Sequence, residues 1–145
     1  MLRVYILRMA SHIDWIREYC LSLPHATEGI QWGNDLLFRI GNKIFCGVPL
    51  EPTSPVKMTV KCTPERFAEL VEIEGIIPAP YAARNHWIAL VKMDALRQPE
   101  INELIRNSYQ LVLEKLPKRQ QAELGKPASK SKSKSDKKSA RRKVK

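Results

Sequence analysis

The segment Val56–Cys62 alternates without a break, with Val56, Met58, Val60 and Cys62 on one side and Lys57, Thr59 and Lys61 on the other. A half-buried strand of an antiparallel sheet has this period of two, one face in the core and one in water. Shorter extended runs precede it at Gly29–Trp32, Leu36–Ile40 and Ile44–Val48. They are separated by Gly33-Asn34-Asp35 and Gly41-Asn42-Lys43, and glycine and asparagine accept the positive φ of tight hairpins. In the third run Ile44, Cys46 and Val48 share one face, while Lys43, Phe45 and Gly47 share the other. Pro49–Pro55 carries three prolines and reads as a loop. A meander of this kind needs an apolar cover on its inner face.

Helices supply the cover. Ile13, Ile16, Cys20 and Leu23 recur at three and four residues, with Trp15 and Tyr19 beside them. This spacing predicts an amphipathic helix from His12 to about Leu23. Ser11 is its expected cap, Asp14 lies near its positive end, and Pro24 stops it. Thr63-Pro64 is a cap followed by proline at the first helical position. Phe67, Leu70 and Val71 then give an apolar side, and Gly75 a stop. Pro99 opens the longest helix, which ends near Leu116 with the stripe Ile101, Leu104, Ile105, Ser108, Leu111 and Val112. The order helix, three strands, strand, helix, strand, helix predicts an α+β domain around an antiparallel sheet.

The fifth strand, His86–Val91, follows a stretch from Pro78 in which Tyr81, Arg84, His86 and Trp87 fall within seven positions. Within an apolar strand Trp87 reads as core. Arg84 can stack on an aromatic ring, pair with a carboxylate such as Glu28, or hold a phosphate.

Charge divides the chain. Of 25 Lys/Arg and 15 Asp/Glu, residues 118–145 hold 12 and 2, which leaves 13 of each in residues 1–117. The net charge of +10 thus belongs to the C-terminal 28 residues, and the remainder is balanced. From Gly125 onward there is no aromatic residue and one large aliphatic, Val144. Such a segment cannot bury enough apolar surface to offset its ordering entropy, so disorder is expected. Lys130, Lys132, Lys134, Lys137, Lys138, Arg141, Arg142 and Lys143 are candidate phosphate contacts, giving sequence-independent, salt-sensitive binding. No apolar anchor accompanies them, which disfavours a membrane surface. The expected organisation is an N-terminal extension over 1–10 (Met9 being an alternative start), an α+β domain over 11–117, and a basic disordered tail over 118–145, with Lys118–Leu124 a frayed end of the last helix.

Catalytic chemistry has little to stand on. Cys20, Cys46 and Cys62 lie on, or at the end of, apolar stripes, where a thiol without a cationic neighbour is inert. Their odd number and wide spacing, with no secretion signal before them, suit a reducing cytoplasm. No Cys-x-x-Cys or His-x-x-x-His pair offers a metal site, and the glycines read as strand and hairpin punctuation rather than a phosphate loop. No catalytic residue, metal or cofactor is expected.

The stretch Glu18–Glu28, the Phe38–Phe45 hairpin, Lys57 to Lys61, Pro80-Tyr81 to His86-Trp87, and Ser108-Tyr109 resemble, in this order, the MmcQ/YjbR family of small bacterial proteins. The resemblance covers roughly residues 11–117. It implies a CyaY-like α+β domain that binds DNA through two β-hairpin wings. The matching positions are the hairpin around Gly41-Asn42 with Arg39 and Lys43, and the strand carrying Lys57 and Lys61. Arg84, His86 and Trp87 would lie near the sheet surface. Taken together, the expectation is a non-enzymatic, monomeric, cytoplasmic nucleic-acid-binding protein, with DNA ahead of RNA. The alternative is a small-ligand or protein-binding module centred on Tyr81, Arg84, His86 and Trp87.

Overall fold

A computed structural model of the chain describes residues 2–80 and 82–124. Tyr81 and everything from Gly125 on, including Lys130 to Lys143 and the expected disorder there, lie outside the described residues. Helix α1 (Leu2–Ser22) leads into strands β1 (Thr27–Gln31), β2 (Asp35–Ile40), β3 (Lys43–Pro49) and β4 (Met58–Lys61). Then come α2 (Pro64–Leu70), β5 (Ile76–Pro78), β6 (Trp87–Leu90), α3 (Gln98–Glu114) and α4 (Lys118–Leu124). The strands form one antiparallel sheet in the order β1-β2-β3-β4-β6-β5. The α+β expectation is met, with one strand more than the sequence indicated. Among the described residues no helix is long and apolar enough to cross a membrane.

One face of the sheet carries the core. Phe38, Ile40, Met58, Val60, Ile88 and Leu90 are fully buried there and pack against Ile16 and Cys20 of α1 and Ile101 and Ile105 of α3. Each of these large side chains contributes about 1.5–3 kcal/mol by leaving water. Leu111, expected on the buried stripe of α3, is only half-buried, and Tyr109 and Leu113 are buried in its place.

Several local readings are corrected. Helix α1 does not begin at Ser11 but runs unbroken from Leu2. Thr63 caps α2 as expected, accepting from the Arg66 N–H at 3.2 Å, but the helix ends at Leu70 and Gly75 lies beyond that stop. Gly75 has φ +97°, and a Cβ there would meet the Cβ atoms of Lys92 and Ala95 at 3.0 Å. Lys118–Leu124 is a separate short helix rather than a continuation of α3. Gln121 Nε2 ties it back by donating to the Glu114 and Leu116 carbonyls at 3.0 and 2.7 Å, satisfying groups that the end of α3 leaves open.

Phe45 does not face away from Cys46. The β2–β3 register pairs Phe38 with Cys46 and Arg39 with Ile44, so Phe45 is an extra residue in a β-bulge. The bulge turns Phe45 into the core beside Cys46, with its ring edge-on to Tyr109 at 5.3 Å. It also frees the Phe45 carbonyl where β3 and β4 part company. Ser108 of α3, fully buried, fills that gap: its hydroxyl donates to Phe45 O at 2.6 Å and accepts from Lys61 N–H at 3.0 Å.

The registers define two ends of the sheet. Arg39 is level with Ile44, and Lys61 is level with Trp87, all next to the β2–β3 turn. This hairpin end also receives the C-terminal half of α3, because that helix begins after β6 leaves the opposite end and Ser108 reaches Lys61.

Candidate functional site

Three of the five body cations singled out from sequence, Lys43, Lys61 and Arg84, gather at the hairpin end. Arg39 starts level with that end on the face opposite the core, but its guanidinium folds back along β1, beside Gly29 and donating to Gln31 Oε1, so its charge lies level with Leu37 rather than at the hairpin end. Lys43 is exposed at the turn itself. Lys61, one residue beyond the core-facing Val60, donates from Nζ to the Asn85 carbonyl at 2.7 Å. Partial burial, and then the Lys115 charge, lower its pKa. Arg84 is exposed in a 3-10 turn (Ala83–Asn85) that leads into β6.

Lys57 does not belong with them. It precedes β4 at the far end of the sheet, where its Nζ donates to the Ser54 carbonyl at 3.1 Å and its charge is felt by His12. Four residues of strand separate it from Lys61, about 13 Å. Nor does Arg84 pair with Glu28. That carboxylate is held by Arg17 through two hydrogen bonds of 2.8 Å.

The helix-free face of the sheet is not flat. It contains an open groove of about 460 Å³. Leu37, Gly47 and Thr59 form its floor, on three adjacent strands in register. A Cβ on Gly47 would lie 2.8 Å from Thr59 Oγ1 and 3.3 Å from Leu37 Cδ2, so the missing side chain keeps the floor open. Ile44 and Trp87 line the groove toward the hairpin end, and Trp32 and Asp35 toward the other. The β5–β6 connection supplies a wall through Ala79 and Pro80. Trp32 sits in the β1–β2 turn with φ +51° and is 72% exposed.

This arrangement divides the aromatic and basic stretch of the sequence. Trp87 is half-buried in the groove, not in the core as its apolar neighbours suggested. His86 turns the other way, with φ +65° and its ring edge-on to Phe67 of α2 at 5.5 Å. Arg84 lies at the hairpin end beside the groove, and Tyr81 is outside the described residues. Sequence reasoning missed Trp32, Asp35 and Gly47, which it read as a strand end, a turn and a position within the third strand. A tryptophan at a glycine-marked turn, with no stripe to join, was the available signal.

The thiols are placed for packing. Cys20, Cys46 and Cys62 are all free and buried. Burial, reinforced by Cys20, pushes the Cys46 thiol well up. Burial also raises Cys62, against the opposing pull of Arg66 and Lys61. A thiol raised in this way is a poor nucleophile.

A family model described as YjbR matches residues 21–111. No curated protein matches. Among solved structures, a Deinococcus radiodurans protein with a DUF419 domain superposes with a TM-score of 0.71 at 28% identity, over 79% of this chain and 88% of that one. A Pseudomonas syringae protein shares the fold, with a TM-score of 0.58 at 22% identity, over 68% of this chain and 97% of that one.

Proposed function

The chain belongs to the YjbR family, and on that premise we propose that it is a non-enzymatic nucleic-acid-binding protein of the bacterial cytoplasm, with DNA as its main partner. The observation that carries this reading is the gathering of Lys43, Lys61 and Arg84 at the sheet end toward which α3 runs. Helix α4, with Lys118 and Arg119, is tied to that end of α3 and leads on to the basic C-terminal stretch. Residues 1–117 are balanced in charge, so the attraction is local and not a property of the whole surface. Cations aligned on phosphates release condensed counterions, which gives affinity without sequence preference.

The test is binding of the full chain to a short duplex between 50 and 200 mM salt. Engagement of six or more phosphates weakens the affinity about a thousandfold or more over that range. Replacing Lys130, Lys132 and Lys134 by serine lowers the slope of log affinity on log salt by about 0.9 for each phosphate that is no longer neutralised. Binding that is absent, or indifferent to salt, refutes the assignment.

A further inference from the structure

We propose that the groove on the helix-free face receives one unstacked nucleobase of a single-stranded nucleic acid, while the neighbouring phosphates rest on Lys43, Lys61 and Arg84. The inference rests on the phosphate-binding reading and names the form of the partner. At about 460 Å³ the groove falls within the range of small-ligand sites, roughly 300–1,000 Å³. Its apolar floor is bare at Gly47, and Trp32 and Trp87 line its two ends with indole rings. Bases released from a helix stack on such aromatic surfaces, and sheet faces that carry them are a recurrent platform for single strands.

Charge is distributed as a nucleotide requires. Lys43, Lys61 and Arg84 lie at the Ile44 and Trp87 end. Asp35, the one acidic side chain among the described residues that line the groove, is five residues along β2 from Ile40, the strand partner of Lys43, about 17 Å. A phosphate therefore meets cations at one end, and a base edge meets an acceptor at the other. A carboxylate accepts from an exocyclic amino group such as cytosine N4, whereas thymine presents a carbonyl there. The groove thus favours amino-bearing bases over thymine. An inorganic anion would be repelled by Asp35, and a purely apolar segment would leave that carboxylate and the Thr59 hydroxyl without partners. A paired base is held in its stack and cannot enter a recess between the β1–β2 turn and the β5–β6 connection.

The experiment uses the full chain at pH 7.5 and fixed salt, with three strands of ten units: deoxycytidine, deoxythymidine and an abasic backbone of the same phosphate count. A duplex serves as the reference. The expected order of affinity is cytidine, thymidine, abasic, with roughly five- to a hundredfold between the first and last. Trp32→Ala, at an exposed position, brings the cytidine strand down toward the abasic one and leaves duplex binding unchanged. Asp35→Asn removes the preference for cytidine over thymidine. If the abasic strand binds as well as cytidine while the duplex binds with its usual salt dependence, the groove proposal fails and the phosphate reading stands. If no strand and no duplex binds, both fail. A Trp32→Ala variant that weakens all three strands equally also overturns the groove proposal.

Discussion

Replacing Ser108 by alanine removes one oxygen and strands two backbone groups. The hydroxyl is fully buried, donates to Phe45 O at 2.6 Å and accepts from Lys61 N–H at 3.0 Å. Neither group has a substitute partner among the described residues, because the bulge has taken Phe45 out of the β2–β3 register and the β3–β4 pairing holds only Cys46 with Val60 and Gly47 with Thr59. A buried backbone group left unpaired costs about 1–3 kcal/mol. The Phe45 carbonyl carries a full penalty and the half-buried Lys61 a smaller one, so Ser108→Ala is expected to destabilise the domain by about 2–4 kcal/mol. At about 4 °C per kcal/mol for a domain of this size, the melting temperature falls by roughly 8–16 °C. Urea unfolding followed by circular dichroism gives the free energy, and amide exchange locates it: Lys61 N–H loses protection relative to its neighbours. A loss below about 0.5 kcal/mol, within the scatter of ordinary surface substitutions, or an unchanged Lys61 exchange rate, refutes the bridging role.

Other consequences follow from groups already placed. Burial, and then the Lys57 charge, hold His12 below its ordinary 6.5 against the opposing pull of Asp14. The unfolded chain therefore takes the proton first, and stability falls as pH drops below about 6.5 until the folded His12 also protonates. His12→Gln should flatten urea midpoints in that window; an unchanged slope counts against the assignment. Glu28 is held below 4.5 mainly by its hydrogen bonds from Arg17, so its contribution is intact above that pH and lost as pH falls through the folded value. Arg17→Ala should lower stability above about pH 4.5, with the difference from the natural chain closing as pH falls and Glu28 protonates. An aromatic disulfide reagent should leave the native thiols largely unmodified and count three after unfolding, since all three cysteines are buried; rapid native reaction of one thiol contradicts their packing role. Gly47→Ala, which sets a methyl 2.8 Å from Thr59 Oγ1, should cost about 1–3 kcal/mol in the same unfolding assay.

The strands and their hairpins were legible because alternation and turn residues are local properties. Thr63-Pro64 fixed the start of α2 for the same reason. Strand β5 was not legible: three residues, Ile76–Pro78, carry too little pattern, and β6 alone holds them in the sheet. The inward turn of Phe45 depends on the register with β2, which parity within β3 cannot express. Ser11 has the chemistry of a cap, yet the helix runs through it. At the candidate site, parity put Lys57 and Lys61 on one line but was silent on the sheet end each would reach. Trp87 shows the opposite case. Its neighbours Ile88 and Leu90 are buried in the core, so alternation alone already sends Trp87 to the other face. The groove itself joins the β1–β2 turn, the β3 glycine and the β5–β6 connection, and no single stretch of sequence contains it.

The strand order has a kinetic consequence. Strands β1, β2 and β3 are joined by tight turns and can pair as soon as they exist. Strand β4 then presents an open ladder, and β5, though made before β6, has nothing to join, because β6 occupies the slot between them. Sheet closure therefore waits on Trp87–Leu90, the last strand synthesised, and it is an internal strand rather than an edge. A chain interrupted before that point carries an unsatisfied row of backbone donors and acceptors on β4, an open invitation to another chain. Once β6 is seated, the edge on that side is the three-residue β5 ending in Pro78, too short to template further pairing. The passage from synthesis to protection thus turns on four residues, and slow folding or aggregation on expression should track substitutions in β6 more closely than those in the hairpin meander.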